Sequence, residues 1–338
     1  MAVLGLSVEL LALFVGFGFM VGVFFGFFGM GGSFLVTPAL LILGYPAPVA
    51  IGSSMAFVFG TAIIATMKHA DVGNVDYRLG ALMFVGITLG IEGGRLFVFF
   101  LEELGRAELV VGVAYVLLLA AIGVLFTRSA LRADGADDEP DDPDEIPELA
   151  KTIKSYDVPP MMTLADGSKA SLWTISGVGG GVGLVSGFLG IGGGFVRMPA
   201  IYYLIGVPLA VAVGTSLFGA LISGGVGAFS YGRSGVIDVG VVTALLVGSA
   251  LGARIGSAAT VYVDESDVTI YFGIMLLLAS AAVAFGEIAN WTGIAAFDTV
   301  SFVLLIGSSA LVTTIILYYG TKEIRAGAVT PTTTTGEK

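Results

Sequence analysis

The chain has 338 residues, of which 12% are charged and 56% hydrophobic, and its mean hydropathy is +0.97. A water-soluble fold of this length could not cover so much apolar surface, which excludes an ordinary soluble enzyme. The lack of cysteine excludes a disulfide scaffold, and a pI of about 4.5 excludes a nucleic-acid binder with a basic face.

What remains is an all-α polytopic membrane protein. In chain order, apolar runs close to the roughly 20 residues that cross a hydrocarbon core occupy 8–28, 49–68, 79–100 and 107–127. No basic residue precedes Lys68, so the first run lacks the charged start of a secretory signal and reads as a retained transmembrane helix. Residues 134–148 then hold nine acids and no base, with Pro140, Pro143 and Pro147 among them. They account for −9 of the net charge of −11, and with their flanks they read as an acidic flexible linker. Further runs follow at 172–189, 211–230, 236–258, 268–286 and 298–320. Two stretches, 33–44 and 194–206, each follow a glycine cluster and are too short to span alone. The expected plan is nine spans and two half-length helices. It divides into a first repeat 1–128, the linker 129–171, a second repeat 172–325 and a disordered tail 326–338.

The two hydrophobic halves are copies. Gly26-Phe27-Phe28-Gly29-Met30-Gly31-Gly32-Ser33-Phe34 aligns with Gly187-Phe188-Leu189-Gly190-Ile191-Gly192-Gly193-Gly194-Phe195, and Pro38 with Pro199, all 161 residues apart. At an offset of 162, Gly44, Pro46, Gly52 and Ser54 fall on Gly206, Pro208, Gly214 and Ser216, and Asp76 falls on Asp238. Gly86, Gly90 and Gly94 fall on Gly248, Gly252 and Gly256. Internal duplication is the strongest inference the sequence carries.

The glycine triplets at i, i+4 and i+8 are small-residue stripes that let helices approach closely in lipid. The clusters Gly29–Ser33 and Gly190–Gly194 need another account, because each glycine disfavours helix by about 1 kcal/mol relative to alanine. They read as helix breaks, and matching breaks in two repeats point to a transporter binding site. The half-helices beyond them would turn backbone N–H groups toward an anion. A dinucleotide-loop reading of the glycines fails, since no strand precedes them.

On the duplicated G-x-G-G-[GS]-F-x-x-x-P pattern, Gly29 to Pro38 and Gly190 to Pro199, the chain resembles the sulfite exporter TauE/SafE family of membrane permeases. Gly52-Ser53-Ser54, Gly214-Thr215-Ser216 and the stretches at Gly86 and Gly248 reinforce the resemblance, which covers both halves. It implies transport of small sulfur-containing anions such as sulfite, sulfonates, sulfoacetate or thiosulfate. The chain departs from the pattern in its long acidic linker and in Ser33, which replaces the third glycine of the first motif.

The candidate substrate-binding residues are therefore Gly29, Gly31, Gly32, Ser33 and Pro38 with Gly190, Gly192, Gly193, Gly194 and Pro199. Arg197 joins them as a cation in the second half-helix; its counterpart Val36 is neutral. Ser53, Ser54, Thr215 and Ser216 are expected to begin the helices after the half-helices, as N-caps whose hydroxyls are also able to complete a polar site.

Ionisable residues inside spans are costly, so His69, Glu92, Arg95 and Arg254 are candidates for coupling or gating. Glu92 and Arg95 can pair locally. Arg254 corresponds to Glu92 at the repeat offset and is expected to approach it or to face the anion path, unless it snorkels to the interface. Trp173 and Trp291 fit interfacial anchors.

The basic residues Lys68/Arg78, Arg128/Arg132 and Arg233 are all assigned to the cytoplasmic side, with the acidic linker. Parallel and inverted repeats both remain open, with Lys322 and Arg325 favouring inversion. The chain has no G-x-x-x-x-G-K-[ST] loop, paired intramembrane aspartates or H-E-x-x-H motif, and no cofactor is expected. These features point to a non-enzymatic secondary carrier in the cell membrane, with an anion channel as the alternative. Its partners would be a small anion, lipid and a coupling H+ or Na+.

Overall fold

The computed structural model describes residues 2–3, 5–28, 32–70, 75–133, 158–164, 169–260 and 265–326. Within them the chain is almost entirely helical. The first half holds α1 (Val8–Phe28), a 3-10 turn at Gly32–Leu35, α2 (Val36–Ile42), α3 (Ala47–Ala70), α4 (Tyr77–Glu103) and α5 (Ala107–Ala133). The second half holds α6 (Leu172–Leu189), α7 (Gly194–Ala200) running into a π-turn at Ile201–Ile205, α8 (Leu209–Gly232), α9 (Val239–Ala259) and α10 (Glu265–Thr292). A final helix, α11 (Ala295–Ala326), follows.

Eight of these helices are long and apolar enough to cross a membrane: α1, α4, α5, α6, α8, α9, α10 and α11. The expected ninth span is α3, whose described apolar stretch is Ala47–Ile63. Both short segments are the half-length helices foreseen. Each ends at a left-handed glycine, Gly44 (φ 80°) and Gly206 (φ 73°), where only a residue without Cβ turns the chain freely. Pro46 and Pro208 follow at matching positions.

The glycine stripes set the helix packing. Gly18, Gly22 and Gly26 of α1 lie against the backbone of Leu245, Ser249 and Ala253 of α9. Gly179, Gly183 and Gly187 of α6 lie in the same way against Met83, Ile87 and Ile91 of α4. The second set is the first displaced by 161 or 162 residues. The stripes on the other side are likewise reciprocal, with Gly86, Gly90 and Gly94 against α6 and Gly248, Gly252 and Gly256 against α1. A methyl placed on Gly22 would come within 2.5 Å of Ser249 O, and one on Gly94 within 2.5 Å of Leu184 O. The seams therefore close only with glycine.

Along these seams residue numbers rise together, so α1 runs parallel to α9 and α4 to α6. The counterpart helices run opposite ways. Gly224 of α8 faces Phe59 of α3 while Gly227 faces Met55, and Gly112 of α5 faces Glu287 of α10 while Gly123 faces Leu277.

Both ends of the stretch expected as a linker, 129–171, carry regular structure. Helix α5 continues to Ala133, and Met161–Thr163 pairs antiparallel with Lys169–Ser171 as a hairpin (β3 and β4, after the small N-terminal pair Ala2–Val3 and Leu6–Ser7) leading into α6. Trp173 is exposed at this end and donates from Nε1 to Pro159 O at 3.2 Å. The acidic run 134–148 and the tail beyond 326 lie outside the described residues.

Candidate functional site

The second glycine cluster breaks the helix as the sequence implies. Helix α6 stops at Leu189, and Gly190, Gly192 and Gly193 take φ values of 75°, 62° and 77° before α7 begins at Gly194. The break frees carbonyls that water would otherwise satisfy. Four hydroxyls take them instead. Tyr231 donates to Gly187 O at 2.6 Å, Tyr115 to Leu189 O, Ser54 to Gly190 O at 2.9 Å and Ser223 to Gly192 O at 2.7 Å. Ser54 and Tyr115 belong to the first repeat, so both halves hold the break. The first cluster falls differently: Gly29 and Gly31 lie outside the described residues, as do the side chain of Ser33 and the surroundings of Gly32.

Arg197 is completely buried. Its Nη1 donates to Ser216 O at 3.0 Å and its Nη2 to Ser223 Oγ at 3.0 Å, while Nε has no partner. No carboxylate is paired with it among the described residues. A methyl on Gly219 would lie 2.6 Å from Arg197 Cδ, and one on Gly193 would lie 2.8 Å from Nη2 and 2.6 Å from Ser186 Oγ. Ser186 Oγ is itself buried and unpartnered. Two glycines thus make the space that the guanidinium fills. The sequence pattern singles out Arg197 but not Ser186 or Ser223. A signal for the latter was present: Ser216, Gly219 and Ser223 recur at helical spacing on one face of α8. Pro38 and Pro199 shape the half-helices. Pro38 stands in the first turn of α2, where no donor is needed, and Pro199 precedes the π-turn.

Ser53, Ser54, Thr215 and Ser216 do not cap their own helices, because α3 and α8 begin at Ala47 and Leu209. They are buried about two turns into these helices and reach outward instead. Asp76 N donates to Thr215 Oγ1 and Asp238 N to Ser53 Oγ, each at 2.9 Å. Asp76 and Asp238 in turn cap α4 and α9. Each repeat's hydroxyl therefore secures the other repeat's helix start. Thr215→Ala removes the hydroxyl that accepts from the buried Asp76 N–H and is expected to cost about 1–3 kcal/mol, with Thr215→Ser near wild type. Thermal unfolding of the purified protein in detergent checks both.

A family model described as sulfite exporter TauE/SafE matches residues 14–283. The chain belongs to the sulfite exporter TauE/SafE family. It is also 28% identical over 264 residues to a probable membrane transporter protein of Xylella fastidiosa (strain 9a5c), covering 75% of this chain and 85% of that one. To the probable membrane transporter protein YunE of Bacillus subtilis it is 23% identical over 269 residues, covering 77% and 92%. A Methanocaldococcus jannaschii probable membrane transporter protein, MJ0441, shares 26% over 227 residues, covering 63% and 72%. No solved structure matches it.

In this family member Glu92 and Arg95 pair as their spacing implies, with Arg95 Nη2 2.6 Å from Glu92 Oε1 and Nε 3.2 Å from Oε2. The other cation on Glu92 is Arg233 of the second repeat, not Arg254. Arg254 is exposed. Counterpart helices run in opposite directions, so positions equivalent in sequence are carried to opposite ends of the body. For the same reason Arg233 does not share a face with Arg78: it meets Glu92, which is 14 residues further along α4, or roughly 21 Å. Glu92→Gln is expected to destabilise by about 1–2 kcal/mol because it removes the counter-charge of the buried Arg95, and Arg254→Gln by less than about 0.5 kcal/mol. Paired unfolding curves test this contrast. The His69 side chain lies outside the described residues.

A cavity of about 740 Å3 opens near the end of α2, walled by Tyr45, Glu108, Glu287, Asn290, Trp291 and Asp298. Burial, and then the charge of Asp238, pushes the Tyr45 phenol above its ordinary value. Trp291, which fits an interfacial anchor by sequence, stands in this wall. Glu108 and Glu287 give no sequence signal, because they come together only when α5 crosses α10.

Proposed function

We propose that this chain is a secondary carrier that moves a small sulfur-containing anion, such as sulfite, a sulfonate or thiosulfate, across the cell membrane. The observation that carries the reading is the completely buried guanidinium of Arg197, which has no carboxylate counter-charge among the described residues. A buried charge of this kind costs several kcal/mol unless paired. An anionic substrate supplies the missing partner. Gly190, Gly192, Gly193 and Gly194 frame the site, and Ser186 lies beside it as a free hydroxyl.

The antiparallel course of α3 against α8 and of α5 against α10 supports inverted repeats, the plan of many secondary carriers. Rocking of one repeat against the other would expose the site alternately, driven by the substrate's own gradient or by H+ or Na+. The start of α4 and the end of α5 share a face, on which Arg78 and Arg128 are exposed. The excess of basic residues supports a cytoplasmic assignment for that face.

Counterflow in proteoliposomes tests the reading. Vesicles preloaded with unlabelled sulfite or methanesulfonate should accumulate labelled substrate transiently above equilibrium. Conductive flux without exchange would point to a channel, and neither flux nor binding would remove the sulfur-anion assignment.

A further inference from the structure

We infer that the site at Arg197 selects its substrate by charge and takes a monovalent oxyanion in preference to a divalent one. The inference rests on the anion-carrier reading above and narrows its substrate class. Arg197 supplies one positive charge. The helices packed against it add none: α6 has no ionisable residue, and α8 has only Tyr231, whose hydroxyl is committed to Gly187 O. What they present to the guanidinium is neutral, namely Ser186 Oγ, Ser223 Oγ and the Ser216 carbonyl. The duplication does not double the charge, because the counterpart of Arg197 is Val36, which is equally buried. The other span cations whose side chains are described are paired or face outward: Arg95 is paired with Glu92, and Arg78, Arg128, Arg254 and Lys322 are exposed.

Electroneutrality then sets the preference. A singly charged head group and Arg197 form a pair of zero net charge in a low-dielectric interior, with the unpartnered Ser186 hydroxyl beside it as a further donor. A doubly charged head group leaves one negative charge uncompensated at membrane depth, and its extra oxygen meets no further cation. The burden of one unpaired charge inside a span corresponds to a discrimination on the order of 100-fold. Hydrogen sulfite and sulfonates fit this site; sulfate and thiosulfate in their divalent forms do not.

The experiment is competition against labelled methanesulfonate on the full-length protein in detergent, with methylphosphonate and sulfate as competitors. Methylphosphonate changes from a monoanion to a dianion within the accessible pH range, whereas methanesulfonate stays singly charged. Methylphosphonate should compete about as well as methanesulfonate when singly charged and about 100-fold more weakly when doubly charged, with sulfate weak throughout. Methanesulfonate measured at each pH removes any titration of the protein itself. The inference falls if methylphosphonate holds or gains affinity with its second charge, or if sulfate matches methanesulfonate. Failure of all three anions to bind the folded protein is a different result, and it overturns the anion site itself.

Discussion

Arg197→Met abolishes transport and leaves the folded protein more stable. The two effects have opposite signs because the guanidinium is completely buried without a carboxylate. Methionine follows a similar volume through the space beside Gly193 and Gly219 and removes the desolvation penalty of an unpaired charge. It forfeits the hydrogen bonds to Ser216 O and Ser223 Oγ, which are worth about 1–3 kcal/mol each. The desolvation penalty outweighs those two bonds, so in anion-free detergent the variant should unfold later, by on the order of 2 kcal/mol. Transport should fall at least about 100-fold, since the substrate loses its counter-charge. Added substrate should raise the melting temperature of the wild type through mass action and leave that of the variant unmoved. A variant that is inactive and less stable would make Arg197 a structural strut and remove the central support for an anion site.

Gly94→Ala and Gly93→Ala, neighbours on α4, should behave as opposites. A methyl on Gly94 would lie 2.5 Å from Leu184 O and 2.6 Å from Phe188 N, both backbone atoms of α6 that cannot step aside. The helices must separate, which costs about 3 kcal/mol and loosens the seam along its length. Gly93 is exposed and has nothing within 4 Å of an added methyl, so alanine there should stabilise by about 0.5–1 kcal/mol through helix propensity. Gly22→Ala should repeat the Gly94 result at the other seam, where the obstacle is Ser249 O at 2.5 Å. Expression level and melting temperature of the three variants are sufficient readouts. If Gly94→Ala melts with the wild type, the seams are looser than this packing implies.

These variants also mark how far the sequence alone reaches. Span positions were legible because apolar length is a strong signal, and the break at Gly190 because clustered glycine is unusual within a span. The duplication was legible for the same reason, since glycine and proline positions are constrained by backbone geometry. Contacts between repeats were not. Ser53 and Thr215 read as local caps because a sequence offers only local partners, yet each hydroxyl serves a backbone N–H in the opposite half of the chain. Arg233 gives no sign of being the partner of Glu92, because that pairing depends on the relative direction of two helices. Ser186 gives a weak signal: one small polar residue inside a glycine stripe looks like more of the stripe, and its free hydroxyl is visible only once Arg197 is placed beside it.

The reciprocal seams have a consequence for the history of the chain. Every close helix contact between α1 and α9 has its mirror between α6 and α4, so neither half closes a seam with itself. Two identical polypeptides carrying one repeat each, inserted in opposite senses, would close the same two seams. In one joined chain each copy is free to change without the other. Arg197 and Val36 are where that freedom shows most plainly: a symmetric ancestor would have had to bury two like charges or none, and the joined chain buries one.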